Sequence, residues 1–306
     1  MDYGSGRSLI DFSSQKRSLS DFNDEILLHI LCFVSPKTAI QTSILSKRWR
    51  YLWTSIPALY FTQDSETKHE LINFVEQGLS IQVPPRSIQF KLVGHMDDSC
   101  PVEALIFAEG SCHVLEHLHL EDCLWKNIKT VTISSSKLKK LIIDEANCPL
   151  PNVSNRSDQF VIHGDDLKKF TYSGQFYFDY CILNPALLEE VTINVEVWPQ
   201  NITPNWDEDH DFLIKWYWDQ NFIANRIMKL LRRVSHALNK LIFGDTTITL
   251  LAENREFQDN MPYFTNLKHI ELNAVYSFDL KKYEVWHKLI QRSPQIERLD
   301  MLGVTL

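Results

Sequence analysis

The residues with the strongest claim to chemistry are the thiols and imidazoles at Cys112-His113, His117-x-His119 and Cys123. His117 and His119 would share one face of an extended strand, a usable two-ligand arrangement for a divalent ion. A tetrahedral site needs further converging ligands, and Cys112 and Cys123 fall at opposite ends of that strand. The pattern therefore points to histidines displayed on a binding surface, and no metal or other cofactor is expected. The sequence holds no Walker-type phosphate loop, no G-x-G-x-x-G, no G-x-S-x-G and no H-E-x-x-H. Its 39 Asp and Glu are plentiful, but none sits in a recognisable acid/base setting. A non-catalytic protein is expected, with no catalytic residues.

The surrounding chain has 306 residues, 44% of them hydrophobic and 23% charged, enough for a substantial core and too apolar for a disordered chain. The net charge of −8 is unevenly spread. Residues 1–60 hold seven Lys/Arg and five Asp/Glu, a net of +2, which leaves −10 on the remainder. Such a balance argues against nucleic acid as a partner, because phosphate binding needs a basic footprint. No run reaches the roughly 18 apolar residues of a membrane span, and no membrane partner is expected. The six Cys are scattered without a C-x-x-C pair, and Met1 to Leu19 lacks a signal-peptide core. They read as reduced thiols, which points to the cytoplasm or the nucleus.

Residues 1–17 are polar and Ser/Gly-rich and read as a disordered tail. Beyond them, apolar residues at 26, 27, 30, 31 and 33 follow one helix face, with Asp24 and Glu25 in the first turn and Pro36 expected to end the helix. A second helix is expected from Thr38 through Leu45, and a third from Ser46 to Trp53, with Trp49 and Trp53 on one face. Three short helices make a marginal module that gains stability by covering an apolar face with a partner. Phe22, Ile26, Leu27, Ile30, Leu31, Ile44, Leu45 and Trp49 are the expected docking residues, while Lys47, Arg48 and Arg50 read as a solvated face.

The run Asp24-Glu25-Ile26-Leu27-Leu28-His29-Ile30-Leu31, followed by Ser43-Ile44-Leu45-Ser46-Lys47-Arg48-Trp49-Arg50-Tyr51-Leu52-Trp53, resembles the F-box of plant F-box proteins. That resemblance implies docking on a Skp1-like protein and, through it, a cullin, within a Skp1–cullin–F-box (SCF) ubiquitin ligase. Two departures stand out: Phe22-Asn23 replaces the usual Leu-Pro, and Pro36 is one place late. The first keeps a second reading open, a leucine-rich interaction scaffold that no longer engages a ligase. Relatives in that family often carry a further C-terminal domain, the FBD.

From residue 61 onward the dominant feature is a degenerate repeat. The pattern Leu-x-x-Leu-x-Leu, with apolar swaps, starts at Leu115, Leu138, Leu167, Leu188, Leu238, Leu267 and Ile296, and an earlier copy lies at Ile88 and Phe90. Successive spacings of 23, 29, 21, 50, 29 and 29 residues are leucine-rich-repeat periods, the 50 containing an insertion at about 197–218. That insertion carries four Trp and reads as a loop against the flank of the array or a lip beside its face. Helices are expected over Glu66–Leu79, Gln220–Val234 and Lys281–Gln291, on the convex side.

The expected fold is α/β. A three-helix F-box at 18–60 precedes an irregular leucine-rich-repeat solenoid at 61–306, with parallel strands on the concave side and helices and loops on the convex side. Alternation places His117, His119, Glu121, Lys140, Asp144, Lys169, Glu190, His269, Glu271 and Arg298 on the concave face, together with Ile142, Thr171, Thr192, Lys240, Ile242 and Asp300. That face is the expected binding surface for a protein substrate. The combined expectation is a substrate-recognition adaptor of a ubiquitin ligase.

Overall fold

The computed structural model describes residues 19–56, 59–63, 87–92, 115–123, 130–145, 159–176, 178–196, 210–273 and 279–302. The chain divides into two compact units, Met1–Ile56 and Pro57–Leu306. The expected tail at 1–17, the expected helix at Glu66–Leu79 and the Cys112-His113 pair lie outside the described residues.

In the first unit, a 3-10 turn at Leu19–Asp21 leads into α1 (Asp24–Leu31). Asn23 is its N-cap, and its side chain accepts the Ile26 N–H at 3.0 Å. The residue that departs from the usual Leu-Pro thus satisfies one of the helix's orphan donors. Pro36 does not terminate this helix. It begins α2 (Pro36–Gln41), where its missing N–H costs nothing, and Ser35 rather than Thr38 is the cap, accepting the Thr38 N–H at 3.2 Å. The chain then tightens into 3-10 turns at Thr42–Ile44 and Trp49–Ser55, in place of the third α-helix expected over 46–53. Leu27, Leu31, Ala39, Trp49, Leu52, Trp53 and Ile56 form the core of the unit.

The second unit contains β1 (Leu59–Gln63), β2 (Ser87–Leu92), β3 (His117–Glu121), β4 (Thr130–Ser134), β5 (Lys140–Asp144), β6 (Gln159–His163), β7 (Lys169–Gly174), β8 (Asp179–Leu183) and β9 (Glu190–Val195). After these come α3 (His210–Val234), β10 (Lys240–Gly244), α4 (Asp245–Glu253), α5 (Arg255–Asp259), β11 (His269–Asn273), α6 (Leu280–Gln291) and β12 (Arg298–Met301). A nine-stranded sheet runs β1-β2-β3-β5-β7-β9-β10-β11-β12, and its paired strands are parallel throughout.

Its register aligns the repeats. Leu118, Leu141, Phe170, Val191, Leu241 and Ile270 stand side by side and are buried, as are Leu120, Ile143, Tyr172, Ile193, Phe243 and Leu272. Each such side chain contributes about 1.5–3 kcal/mol relative to exposure. Ahead of the strands the same connection recurs: Lys139 and Lys140 both donate their N–H to the Glu116 carbonyl, Lys168 and Lys169 to that of Lys139, and Glu189 and Glu190 to that of Lys168.

The layer beneath differs from the expected helices. Over β3 to β9 it is a second parallel sheet, β4-β6-β8, with Val131, Ile133, Phe160, Ile162, Tyr180 and Ile182 buried. Aromatic packing joins the layers, with Tyr180 centred 5.9 Å from Phe170 and 5.0 Å from Tyr172. Among the described residues of this unit the α-helices follow β9, and they include those expected over Gln220–Val234 and Lys281–Gln291. Lys229 of α3 pairs with Asp179 of β8 at 3.0 Å, setting that helix beside the small sheet. Buried Asn254 donates to Asn221 and Asn225 of α3 and accepts the Phe257 N–H as the cap of α5. The insertion expected as a loop to residue 218 is helical from His210, so Trp216, Tyr217 and Trp218 lie within α3.

Candidate partner-docking surfaces

The first unit leaves unusual apolar area in water. Ile26, Ile30 and Phe33 follow i, i+4, i+7 along α1 and just past its end, at 44%, 37% and 77% exposure, and Ile44 and Leu45 reach 85% and 60%. A carboxylate, Asp24, marks the start of this stripe and is held by Arg48, whose Nε donates to Asp24 Oδ1 at 2.7 Å. A further Arg48 nitrogen, Nη2, donates to the Phe22 carbonyl at 2.6 Å. Arg48 therefore brackets the start of α1 rather than lying on a purely solvated face.

Of the eight expected docking residues, Ile26, Ile30, Ile44 and Leu45 are exposed and Phe22 is half-buried. Leu27, Leu31 and Trp49 are buried at 0%, 2% and 3% exposure, so their place is in the core and they act by shaping the exposed face. Phe33 was not among the expected residues, although its position at i+7 from Ile26 would have found it.

On the large sheet, the outward positions form rows across the strands. His117, Lys140, Lys169, Glu190, Lys240, His269 and Arg298 occupy equivalent register positions, forming one row. His119, Ile142, Thr171, Thr192, Ile242, Glu271 and Asp300 form the next. Glu121 and Asp144 pair in a third. All ten expected face residues described above are half-buried or exposed, whereas Ile242 is buried, with Gly244 and Asn194 in close approach beside it.

The second half of the face carries a charge network. His269 Nε2 lies 2.8 Å from Asp300 Oδ2 and 3.9 Å from Glu271 Oε2. These three have the spacing of a metal-ligand set, which the separation of β11 and β12 in the sequence concealed. Both carboxylates already face cations: Lys240 Nζ sits 2.8 Å from Glu271, and Arg298 Nε 2.7 Å from Asp300. Desolvation raises the Asp300 pKa, but hydrogen bonds from His269 and Arg298 outweigh it and hold the carboxyl below its ordinary value. The cluster is chemically an ion-pair network.

Comparison with known proteins agrees with the first unit's features. The F-box domain model matches residues 19–59. An FBD-associated F-box protein of Arabidopsis thaliana is 31% identical over 145 residues, 44% of this chain and 34% of that protein. A putative F-box/LRR-repeat protein of the same plant is 35% identical over 112 residues, 36% of this chain and 23% of its own length. A putative F-box protein, also from Arabidopsis thaliana, is 28% identical over 312 residues, spanning 94% of this chain and 71% of the relative. The chain therefore matches only about a third or less of the first two relatives. Residues 19–59 are thus matched as an F-box, and the chain is similar along its length to plant F-box proteins.

Proposed function

We propose that the chain is a non-catalytic substrate-recognition adaptor of a Skp1–cullin–F-box ubiquitin ligase. In this reading the module at 18–60 docks a Skp1-like protein, and the array at 61–306 is an irregular leucine-rich-repeat solenoid that holds a protein substrate in the cytoplasm or nucleus. The chain would accelerate transfer by proximity, keeping the substrate near an activated ubiquitin carried by another subunit.

The observation that carries the proposal is the exposed apolar set Ile26, Ile30, Phe33, Ile44 and Leu45 on a module matched as an F-box. Exposed patches of this kind mark interaction sites. The capping role of Asn23 supports it further, because the departure from Leu-Pro leaves the start of α1 intact.

Co-expression with a plant Skp1 tests the reading. The parent should co-purify with Skp1 and, on adding cullin, form the larger complex. Ile30→Asp with Ile44→Asp should abolish Skp1 capture with little change in the melting of the chain, since both residues are exposed. By contrast, Leu27→Ala should destabilise the module by about 2–5 kcal/mol through a cavity. Undiminished capture by the double variant refutes the docking face, and Skp1 binding without cullin favours the scaffold.

A further inference from the structure

Strand register brings together lysines that the sequence keeps 29 positions apart. Lys140 pairs directly with Lys169, and the N–H of Lys168 and of Lys169 both donate to the Lys139 carbonyl. Two lysine pairs therefore start adjacent strands, about 4.8 Å apart. Like charges directly opposite each other on neighbouring strands are destabilising. The neighbours relieve this only partly. Lys139 reaches Glu116 at 2.9 Å, Lys168 reaches Glu189 at 3.0 Å and Lys169 reaches Glu190 at 3.2 Å. These lysine side chains are 43%, 49% and 48% exposed, and Lys140 makes no ion pair among the described residues. Exposed pairs of this kind are weak, so their exchange for a partner's carboxylates costs little. Two residues further along the same strands, Ile142, Thr171 and Thr192 form a half-buried β-branched row.

We propose that this patch, at the starts of β5 and β7, is the docking point for an extended acidic–aliphatic segment of a partner protein. The partner's carboxylates would lie against Lys139, Lys140, Lys168 and Lys169, and an adjacent aliphatic side chain would cover Ile142, Thr171 and Thr192. Four lysines meet three glutamates here, an excess of one positive charge in an array whose net charge is −10, so the patch selects where such a segment lands rather than attracting polyanions to the whole surface. The inference rests on the substrate-holding reading of the array and specifies the chemistry of its partner.

A phage-displayed library of random 12-residue peptides, panned on the full chain, provides the test. Recovered peptides should be enriched in Asp or Glu next to Leu, Ile or Val. A synthetic copy of the leading peptide should lose about tenfold or more in affinity on Lys140→Glu with Lys169→Glu, and should weaken with salt. Lys140→Gln with Lys169→Gln, which leaves the backbone pairing in place, should lose affinity in the same direction. Ile142→Asp should weaken the same peptide. An absence of enriched peptides, a neutral or basic consensus, affinity within twofold in the charge variants, or tighter binding of a single-stranded oligonucleotide of equal length would overturn the proposal. Skp1 capture by the same charge variants separates the two readings, since it should be unchanged whether or not the patch binds peptide.

Discussion

Arg48 donates from Nε to Asp24 Oδ1 at 2.7 Å, joining two residues 24 positions apart. The contact ties the Ser46-Lys47-Arg48-Trp49 run to the first turn of α1, which Asn23 caps and whose exposed face carries Ile26 and Ile30. A basic residue that would otherwise be read as part of a specific motif thus has a structural task, and the task can be measured.

Arg48→Ala should loosen the start of α1. The two side chains are 37% and 60% exposed, so the ion pair contributes about 1 kcal/mol at most. The bond to the Phe22 carbonyl adds about as much. Hydrogen exchange should quicken at the amides of α1, including Leu27, whose N–H bonds to the Asn23 carbonyl, and should stay unchanged in the array. Arg48→Lys should restore little, because a single ammonium on a flexible stem does not reproduce the guanidinium's fork. Unaltered exchange across α1 in the alanine variant would refute the bracket.

Tyr172 makes a second bracket, inside the array. Its hydroxyl donates to Glu145 Oε2 at 2.8 Å and accepts the Phe176 N–H at 2.7 Å, with the ring fully buried between the sheets. Burial, followed by the charge of Glu145, pushes the phenol well above its ordinary pKa, so it stays a donor at any working pH. Phe176 has a left-handed backbone with φ of 56°, a conformation that costs a bulky residue and that the hydroxyl helps to hold. Tyr172→Phe should therefore cost about 1–3 kcal/mol, read as a lower midpoint in urea with an unchanged slope.

The parts of this fold that were legible in the sequence are those where one residue pattern implies one environment. Leu118 and Leu120, Phe170 and Tyr172, and Val191 and Ile193 alternate with polar residues, so period 2 defined both the strand and its buried face, and the register followed from the repeats. The second sheet escaped because Thr130–Ser134 and Gln159–His163, though they alternate in the same way, fall between successive copies of the Leu-x-x-Leu-x-Leu pattern, where helices and loops were expected. At Asp245–Glu253 the run Thr-Thr-Ile-Thr favours a strand by propensity, yet it is helical. There Thr247 Oγ1 donates to the Ile193 carbonyl and accepts the Val195 N–H, both at 2.9 Å, so tertiary bonding outweighs local preference. The expected docking residues mix core with surface, because Leu27 and Ile26 are adjacent in sequence and only packing separates the two. The lysine patch required strand pairing, which relates Lys140 to Lys169 across 29 residues.

Glu196 provides a prediction in which pH decides the sign. Its N–H donates to the Gly174 carbonyl at 2.7 Å, which places the residue at the end of β9. Desolvation and then the negative charge of Asp144 raise its pKa above the ordinary 4.5. The folded chain therefore binds this proton more tightly than the unfolded chain does. The resulting stabilisation is present at low pH and is lost as pH rises from about 4.5 through the higher folded value, so at neutral pH the ionised carboxylate is a net cost. Glu196→Gln removes that cost. The variant should melt above the parent at pH 7, and the difference should shrink toward zero as the buffer approaches pH 4, where the parent's carboxyl is protonated in the fold. Thermal melts of both proteins across that range, at fixed ionic strength, check the prediction; a gap that widens on acidification would show that Glu196 is stabilised by its surroundings rather than penalised by them.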